Sequence, residues 1–84
     1  LTSLDLSSNT ALTYLECQFN SLTSLNVSGA TELQELYCYN NSLTSLNVSN
    51  NTALTNLNCH NNNLTHIPKH MSTHKKLNLF YSFS

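Results

Sequence analysis

The sequence predicts a mainly β fold built from stacked repeats, and three observations support that prediction. First, the segment LQELYCYNNSL at residues 33–43 recurs as LTYLECQFNSL at 12–22 and as LTNLNCHNNNL at 54–64. Second, the resulting 21-residue period divides the 84-residue chain into units 1–21, 22–42, 43–63 and 64–84. Third, apolar residues within a unit occur in pairs two residues apart, which is the side-chain period of a β-strand. We therefore expect one repeat array.

Each unit is expected to hold two short strands joined by a tight turn. In the second unit, Leu25 and Val27 mark the first strand, and Leu36 and Cys38 mark the second. The SGATE segment between them consists mainly of small and hydrogen-bonding residues, as turns do. No apolar stripe of helical period continues through a unit, so long helices are not expected.

Stacking of the units is expected to supply the stability of the chain. One unit cannot cover its own apolar side chains, whereas each Leu or Val that a neighbouring unit buries fully contributes about 1.5 to 3 kcal/mol. Cys17, Cys38 and Cys59 follow the same spacing of 21 residues. Equal spacing predicts an interior column of free cysteines that pack as small apolar side chains. Thiol chemistry or a shared metal is the alternative interpretation.

The repeated string L-x-x-L-x-C-x-x-N-x-L resembles the signature segment of leucine-rich repeats, with Cys at the third apolar position. The first half of each unit holds a shorter copy, such as LTSLDLSSNTAL at 1–12. This nesting resembles the short bacterial repeats called the IRREKO class, and LTSLxVSxNTALTxLxC resembles surface proteins of Bacteroidetes. The resemblance covers residues 1–64. It implies a right-handed leucine-rich-repeat solenoid with a parallel sheet, whose second side is made of short strands, and a role in protein binding.

Asn20, Asn41 and Asn62 occupy the asparagine position of that signature. An Asn amide both donates hydrogen bonds to backbone groups and accepts them. We therefore predict that these side chains turn inward and satisfy main-chain groups that have left the strand. Their role, like that of the cysteines, is predicted to be structural.

The fourth unit departs from the pattern of the other three. Pro68 follows Ile67, and Leu77 and Leu79 come one residue short of the 21-residue register. The final segment LNLFYSFS alternates again as a strand does. We expect a cap-like last repeat, because the end of a stack has no successor to cover it. The alternative is an exposed apolar edge that promotes association.

Composition argues against several classes of function. Only 8% of the residues are charged and the net charge is −1, so nucleic-acid binding is not expected. No apolar run reaches the roughly 18 residues that a membrane span needs. The chain begins with Leu1 in repeat register, and we expect a segment of a longer array or of a mature protein, secreted or at the cell surface.

No metal, cofactor or catalytic site is expected. His66, His70 and His74 recur at four-residue spacing, but Pro68 would interrupt a helix that carried them. Glu16 and Glu35 occupy different positions in their units and are not placed as an acid and base pair. A single glycine cannot form a phosphate-binding loop. The sequence thus predicts that the chain is not an enzyme.

One outward surface varies from unit to unit. Outward positions of the first-half strand repeat as Ser with Asp or Asn, whereas those of the second-half strand differ and include the aromatic residues. Because Tyr gives a large contact area at low entropic cost, we predict that this surface binds a protein or a glycan. Drift on an unselected surface is the alternative. The predicted contact residues are Tyr14, Glu16, Gln18, Phe19, Glu35, Tyr37, Tyr39, Asn56, Asn58 and His60.

A second hypothesis assigns function to the hydroxyl groups of the first-half strands. Columns of Thr and Ser recur at the start of the units, as in the Thr23–Ser24 and Thr44–Ser45 pairs. They could form a flat array, as in ice-binding solenoids, or a structural spacer. We favour the binding surface, because these columns lie next to Asp or Asn rather than a second Thr.

Overall fold

The computed structural model describes residues 2–65 and 78–80. The strands, in chain order, are β1 (Ser3–Asp5), β2 (Tyr14–Glu16), β3 (Ser24–Asn26), β4 (Glu35–Tyr37), β5 (Asn56–Asn58) and β6 (Asn78–Phe80). Turns and bends connect them, and these described residues form no helix. Each strand is three residues long, because an inward Leu is flanked by two outward residues before the chain turns.

The strands form two parallel sheets. The first-half strands β1 and β3 pair with each other, and the second-half strands pair in the order β2, β4, β5, β6. Leu15 lies beside Leu36, which lies beside Leu57, so the register between the first three units follows the 21-residue period. The prediction of a mainly β fold with parallel pairing and no long helix is confirmed for this part of the chain.

The core lies between the two sheets and is made by equivalent residues of successive units. Leu33 and Leu36 of the second unit are fully buried, whereas Leu4 and Leu15 of the first unit are only partly buried. The difference follows from stacking, since the second unit has neighbours on both sides. The buried apolar residues are Cys17, Leu22, Leu25, Val27, Ala30, Leu33, Leu36, Cys38, Leu43, Leu46, Val48, Leu54, Leu57, Cys59 and Leu64.

Two consecutive turns link the first-half segment of a unit to its second-half strand. In the second unit, the Ala30 N–H donates to the Val27 carbonyl at 3.0 Å, and the Leu33 N–H donates to the Ala30 carbonyl at 3.1 Å. The same pair of bonds recurs around Asn9 and Asn51 in the first and third units. These turns confirm the predicted tight connection.

The outward carboxylate or amide of each first-half segment caps the turn that follows it. Asp5, Asn26 and Asn47 each accept a hydrogen bond from the backbone N–H two residues later, at 2.9, 3.0 and 2.9 Å. Short side chains that bond their own backbone in this way stabilise turns. Local turn structure therefore accounts for the Asp or Asn that repeats at this position.

The third unit differs from the prediction of two strands per unit. In the first half of this unit only Asn47 forms a bridge, so the first-half sheet consists of β1 and β3 among the described residues. The turns show why. A Cβ atom on Gly29 would lie 1.6 Å from the backbone oxygen of Ser7, whereas Asn50, the equivalent residue of the third unit, donates from its side chain to the backbone oxygen of Ser28 at 3.4 Å. Gly29 lets the first two units approach closely, and the Asn50 side chain occupies the corresponding space in the third.

A groove of about 280 Å³ lies where the first-half sheet ends. It separates β3 from the equivalent segment of the third unit, and hydroxyl and amide groups surround it. The residues that line it are Thr23, Ser24, Leu25, Asn26, Ser28, Ser45, Asn47, Ser49 and Asn50. The Ser and Thr columns are therefore interrupted between the second and third units.

The register of the last strand also corrects an expectation. Leu57 pairs with Leu79 at a spacing of 22 residues, so Leu79 lies one residue beyond the 21-residue register rather than short of it. One extra residue in the connection to β6 accounts for this. Of the fourth unit, which is expected to form a cap, residues 66–77 and 81–84, including His66, His70 and His74, lie outside the described residues.

Candidate functional site

The variable face consists of the ten predicted contact residues on the second-half sheet. The interior Leu and Cys of each unit point into the core, so the residues that alternate with them point outward. Tyr14, Glu16 and Gln18 come from the first unit, Glu35, Tyr37 and Tyr39 from the second, and Asn56, Asn58 and His60 from the third, while Phe19 follows Gln18. Parallel pairing thus places nine of these residues in three adjacent rows.

Four of these residues form a square across β2 and β4, here called the tyrosine–glutamate square. Tyr14 lies beside Glu35, and Glu16 lies beside Tyr37, so the two tyrosines occupy one diagonal and the two carboxylates the other. The ring centroids of Tyr14 and Tyr37 are 5.6 Å apart at an angle of 50°. The Tyr37 hydroxyl donates to Glu35 Oε1 at 2.7 Å. The different positions of the two glutamates therefore bring them into one cluster with the tyrosines.

The surroundings of the square raise the pKa of both tyrosines above the usual value. The hydrogen bond to Glu35 is the largest cause that raises the pKa of Tyr37 to about 12, and burial and the negative charges of Glu35 and Glu16 add to it. Burial, followed by interactions with Glu16 and Glu35, raises the pKa of Tyr14 above its usual value. The two phenols are therefore neutral hydrogen-bond donors at neutral pH.

The aromatic row is formed by Phe19, Tyr39 and His60, which follow the ends of the strands in three successive units. The rings of Phe19 and Tyr39 meet edge to face with centroids 5.4 Å apart. Tyr39 and His60 stack at 5.0 Å with an angle of 9° between their planes. His60 Nδ1 also lies 2.5 Å from Asn58 Oδ1. The row continues the exposed aromatic surface from the first unit to the third.

The backbone of Phe19 has an unfavourable conformation for an aromatic residue. Its φ angle is 60°, and the equivalent residues Asn40 and Asn61 have φ angles of 56° and 54°. Asn tolerates this left-handed region, whereas a bulky residue pays about 1 to 2 kcal/mol for it. Phe19 is also 70% exposed, so burial in the chain does not offset that cost. A strained, exposed aromatic residue is typical of a functional position.

The asparagines of the signature form a ladder through the stack. The Asn41 amide donates to the carbonyl of Cys17 in the unit before it at 3.1 Å and to that of Cys38 in its own unit at 3.0 Å. Its Oδ1 accepts from the Leu22 N–H at 3.0 Å. Asn62 makes the equivalent bonds one unit later. Asn20 of the first unit differs from the prediction: it is exposed, and its amide donates to the carbonyls of Cys17 and Gln18 in its own unit, at 3.0 and 3.3 Å, rather than to a neighbouring unit.

Asn51 is a buried structural residue that sequence reasoning missed. Its amide donates to the carbonyls of Val27 at 2.9 Å and Ala30 at 2.8 Å, joining the first-half turns of the second and third units. The signal was available, because Asn51 occupies in the shorter first-half copy the position that Asn62 occupies in the signature segment. Its Oδ1 is buried and has no donor among the described residues.

The three cysteines lie in the core as free thiols. Burial raises the pKa of Cys17 and of Cys59 to about 11, and it raises the pKa of Cys38 as well. Among residues 2–65 no group of three or more His, Cys, Asp or Glu side chains is placed to hold a metal ion. The described part of the chain contains no helix long and apolar enough to span a membrane.

We expect the folded chain to react slowly with a thiol reagent at pH 8 and the urea-unfolded chain to react at once. Thiolate is the reactive species, and burial suppresses both its formation and its access to reagent. Because the pKa of Cys17 is raised from 9.0 to about 11, the folded state should lose stability as pH rises through that interval. Absorbance of the released chromophore measures the rate. Equal rates for folded and unfolded protein would contradict the buried column.

Comparison with known families points to the third signature segment. Residues 53–73 match the family model described as Leucine Rich Repeat. This segment is similar to a leucine-rich repeat. The match begins just before LTNLNCHNNNL and includes Asn62, the ladder residue of the third unit. No curated protein and no solved structure matches the chain. Leucine-rich repeats generally mediate protein–protein interaction.

Proposed function

We propose that the chain is a non-catalytic binding module that recognises a protein through the variable face. One observation carries the proposal: exposed aromatic and carboxylate side chains of the first two units meet on one sheet, in the tyrosine–glutamate square. Aromatic residues are the commonest centres of binding energy in protein interfaces. The neighbouring aromatic row extends this surface to the third unit. A glycan is the other ligand class that such a surface could accept.

The proposal includes the context that the sequence resemblance implies. The units would form a right-handed solenoid of the short nested bacterial class, in a secreted or cell-surface protein. The 21-residue period, the two strands in each of the first two units and the absence of helix from the described residues support this class. Cell fractionation with an antibody against the chain would test the location.

The hydroxyl columns receive less support as a functional surface. The Thr23 hydroxyl donates to the Thr2 carbonyl at 3.2 Å, so it joins neighbouring units. The groove beside β3 also interrupts the columns between Ser24 and Ser45. An ice-binding array needs a flat and regular surface. No observation on the first-half sheet favours that alternative.

We expect Tyr37→Ala to weaken partner binding at least about tenfold while the fold remains intact, as for a central interface aromatic. The immobilised parent chain would first be used to isolate a partner from secreted and surface fractions of the source cells. Calorimetry with the purified partner would then compare parent and variant. Ser24→Ala, an exposed position on the opposite sheet, is the control and should bind as the parent does.

Phe19→Asn is a second test variant, which introduces the residue found at this position in the second and third units. Asn stands at the equivalent position of the second and third units with nearly the same φ angle, so the variant should be at least as stable as the parent. Loss of binding by this variant could not be attributed to unfolding. Full binding by both Tyr37→Ala and Phe19→Asn would show that the variable face is not the recognition surface.

A further inference from the structure

We propose that the tyrosine–glutamate square is the subsite for an arginine side chain of the bound protein. The inference rests on the proposed function and adds the chemistry of the partner. It follows from the combination of two aromatic rings with two carboxylates in one small area of the sheet.

The charges of the square have no counter-charge in the surrounding repeats. No Lys or Arg occurs in residues 1–65, and the three lysines of the chain, Lys69, Lys75 and Lys76, all come later. Glu35 accepts a hydrogen bond from the neutral Tyr37 hydroxyl, and Glu16 accepts one from the neutral Gln18 amide at 2.8 Å. Neither donor brings a positive charge to its carboxylate. A cationic group is the complement of this surface.

The rings provide the second half of the subsite. Tyr14 and Tyr37 contact each other along one diagonal, and their electron-rich faces attract a cation that lies within about 6 Å. The carboxylates on the other diagonal flank these rings. A planar guanidinium can stack on a ring and at the same time donate hydrogen bonds to a carboxylate in its own plane. An ammonium group is compact and has no flat face to stack on a ring. Arginine therefore fits the square better than lysine.

The third unit shows that the subsite is local. Asn56 and Asn58 of β5 stand at the positions that Glu35 and Tyr37 occupy on β4, so the next pair of strands lacks the second carboxylate and the second ring. The square spans the first and second units alone. Sugar hydroxyls could donate hydrogen bonds to the carboxylates, but a neutral sugar would leave their charge uncompensated, so the square favours a cationic protein segment.

The test is an NMR titration of the chain carrying ¹³C-labelled tyrosine. One probe is the peptide acetyl-Gly-Ser-Arg-Ser-Gly-amide, and the matched probes carry citrulline or lysine in place of arginine. We expect saturable shifts of the Tyr14 and Tyr37 ring signals with the arginine peptide. The citrulline peptide, which has nearly the same shape without the charge, should bind about tenfold more weakly or not at all. Raising the salt concentration should weaken the arginine peptide selectively.

Charge variants of the chain give the matched control. Glu16→Gln with Glu35→Gln keeps the shape of the square and should remove the preference for arginine. Glu32→Gln removes one carboxylate charge at an exposed site away from the variable face and should leave the preference for arginine unchanged. Thermal unfolding followed by circular dichroism would establish that each variant is folded.

Three outcomes would overturn the inference. They are equal binding of the arginine and citrulline peptides, an equal effect of Glu32→Gln and the double variant, and the absence of saturable shifts up to about 10 mM peptide. Preferential binding of lysine would overturn the choice of a guanidinium. In each case, failure of Tyr37→Ala to bind the isolated partner would still support the variable face as the binding surface. The arginine subsite can therefore be wrong while the proposed function remains supported.

Discussion

Asn41→Ala should lower the free energy of unfolding by about 3 kcal/mol, because it removes several hydrogen bonds from partly buried backbone groups at once. The carbonyls of Cys17 and Cys38 would lose their amide donor, and the Leu22 N–H would lose its acceptor. Urea unfolding followed by circular dichroism measures the effect as a shift of the midpoint at constant slope.

Asn63→Ala is the control for this ladder variant. Asn63 is exposed and its backbone N–H bonds to Leu43, so removal of the side chain should change the stability by less than about 0.5 kcal/mol. An Asn41→Ala variant as stable as the control would show that the inward ladder does not hold neighbouring units together.

Gly29→Ala should cost about 2 to 3 kcal/mol, because the added methyl group has no space between the first two units. Its Cβ would lie 1.6 Å from the Ser7 oxygen and 2.3 Å from the Ser7 carbonyl carbon. Backbone atoms cannot move aside as a flexible side chain can, so the turns of the two units must separate. Urea unfolding measures the loss. Hydrogen exchange should show faster exchange of the Leu6 N–H, which donates to Asn26 across the β1 and β3 pair at 2.8 Å.

Asn50→Ala tests the same turn one unit later. Its side chain makes a single long bond at 3.4 Å to the Ser28 oxygen, and the groove leaves space around it. The variant should therefore unfold at nearly the parent's urea concentration. If Gly29→Ala and Asn50→Ala lowered the stability equally, Gly29 would not be needed for the close approach of the first two units.

The pairing of the second-half strands could be predicted because it depends on interior columns that the sequence displays directly. Leu15, Leu36 and Leu57 recur at one spacing, and only in-register stacking buries all three. The first-half sheet could not be predicted in the same way. Its end at β3 coincides with a change in one turn residue, from Gly29 in the second unit to Asn50 in the third, which the interior columns do not reveal.

Membership of the variable face followed from alternation along the strands, but the contacts within it did not. The 21-residue period already places Glu16 beside Tyr37, but the ring contact of Tyr14 with Tyr37 and the hydrogen bond from Tyr37 to Glu35 depend on side-chain geometry. The left-handed backbone of Phe19 was also hidden, although the Asn residues at the equivalent positions of the next two units were a signal for it. The sequence pattern does not contain the geometry of side chains that meet between adjacent units.

The tyrosine–glutamate square belongs to a junction between two units and to neither unit by itself. Tyr14 and Glu16 come from one repeat, and Glu35 and Tyr37 from the next. Exchange or duplication of whole repeats by recombination would leave the interior Leu and Cys columns unchanged and would create new pairs of neighbours. A chain of this kind can therefore acquire new binding specificity through the order of its repeats, without a single substitution in the core.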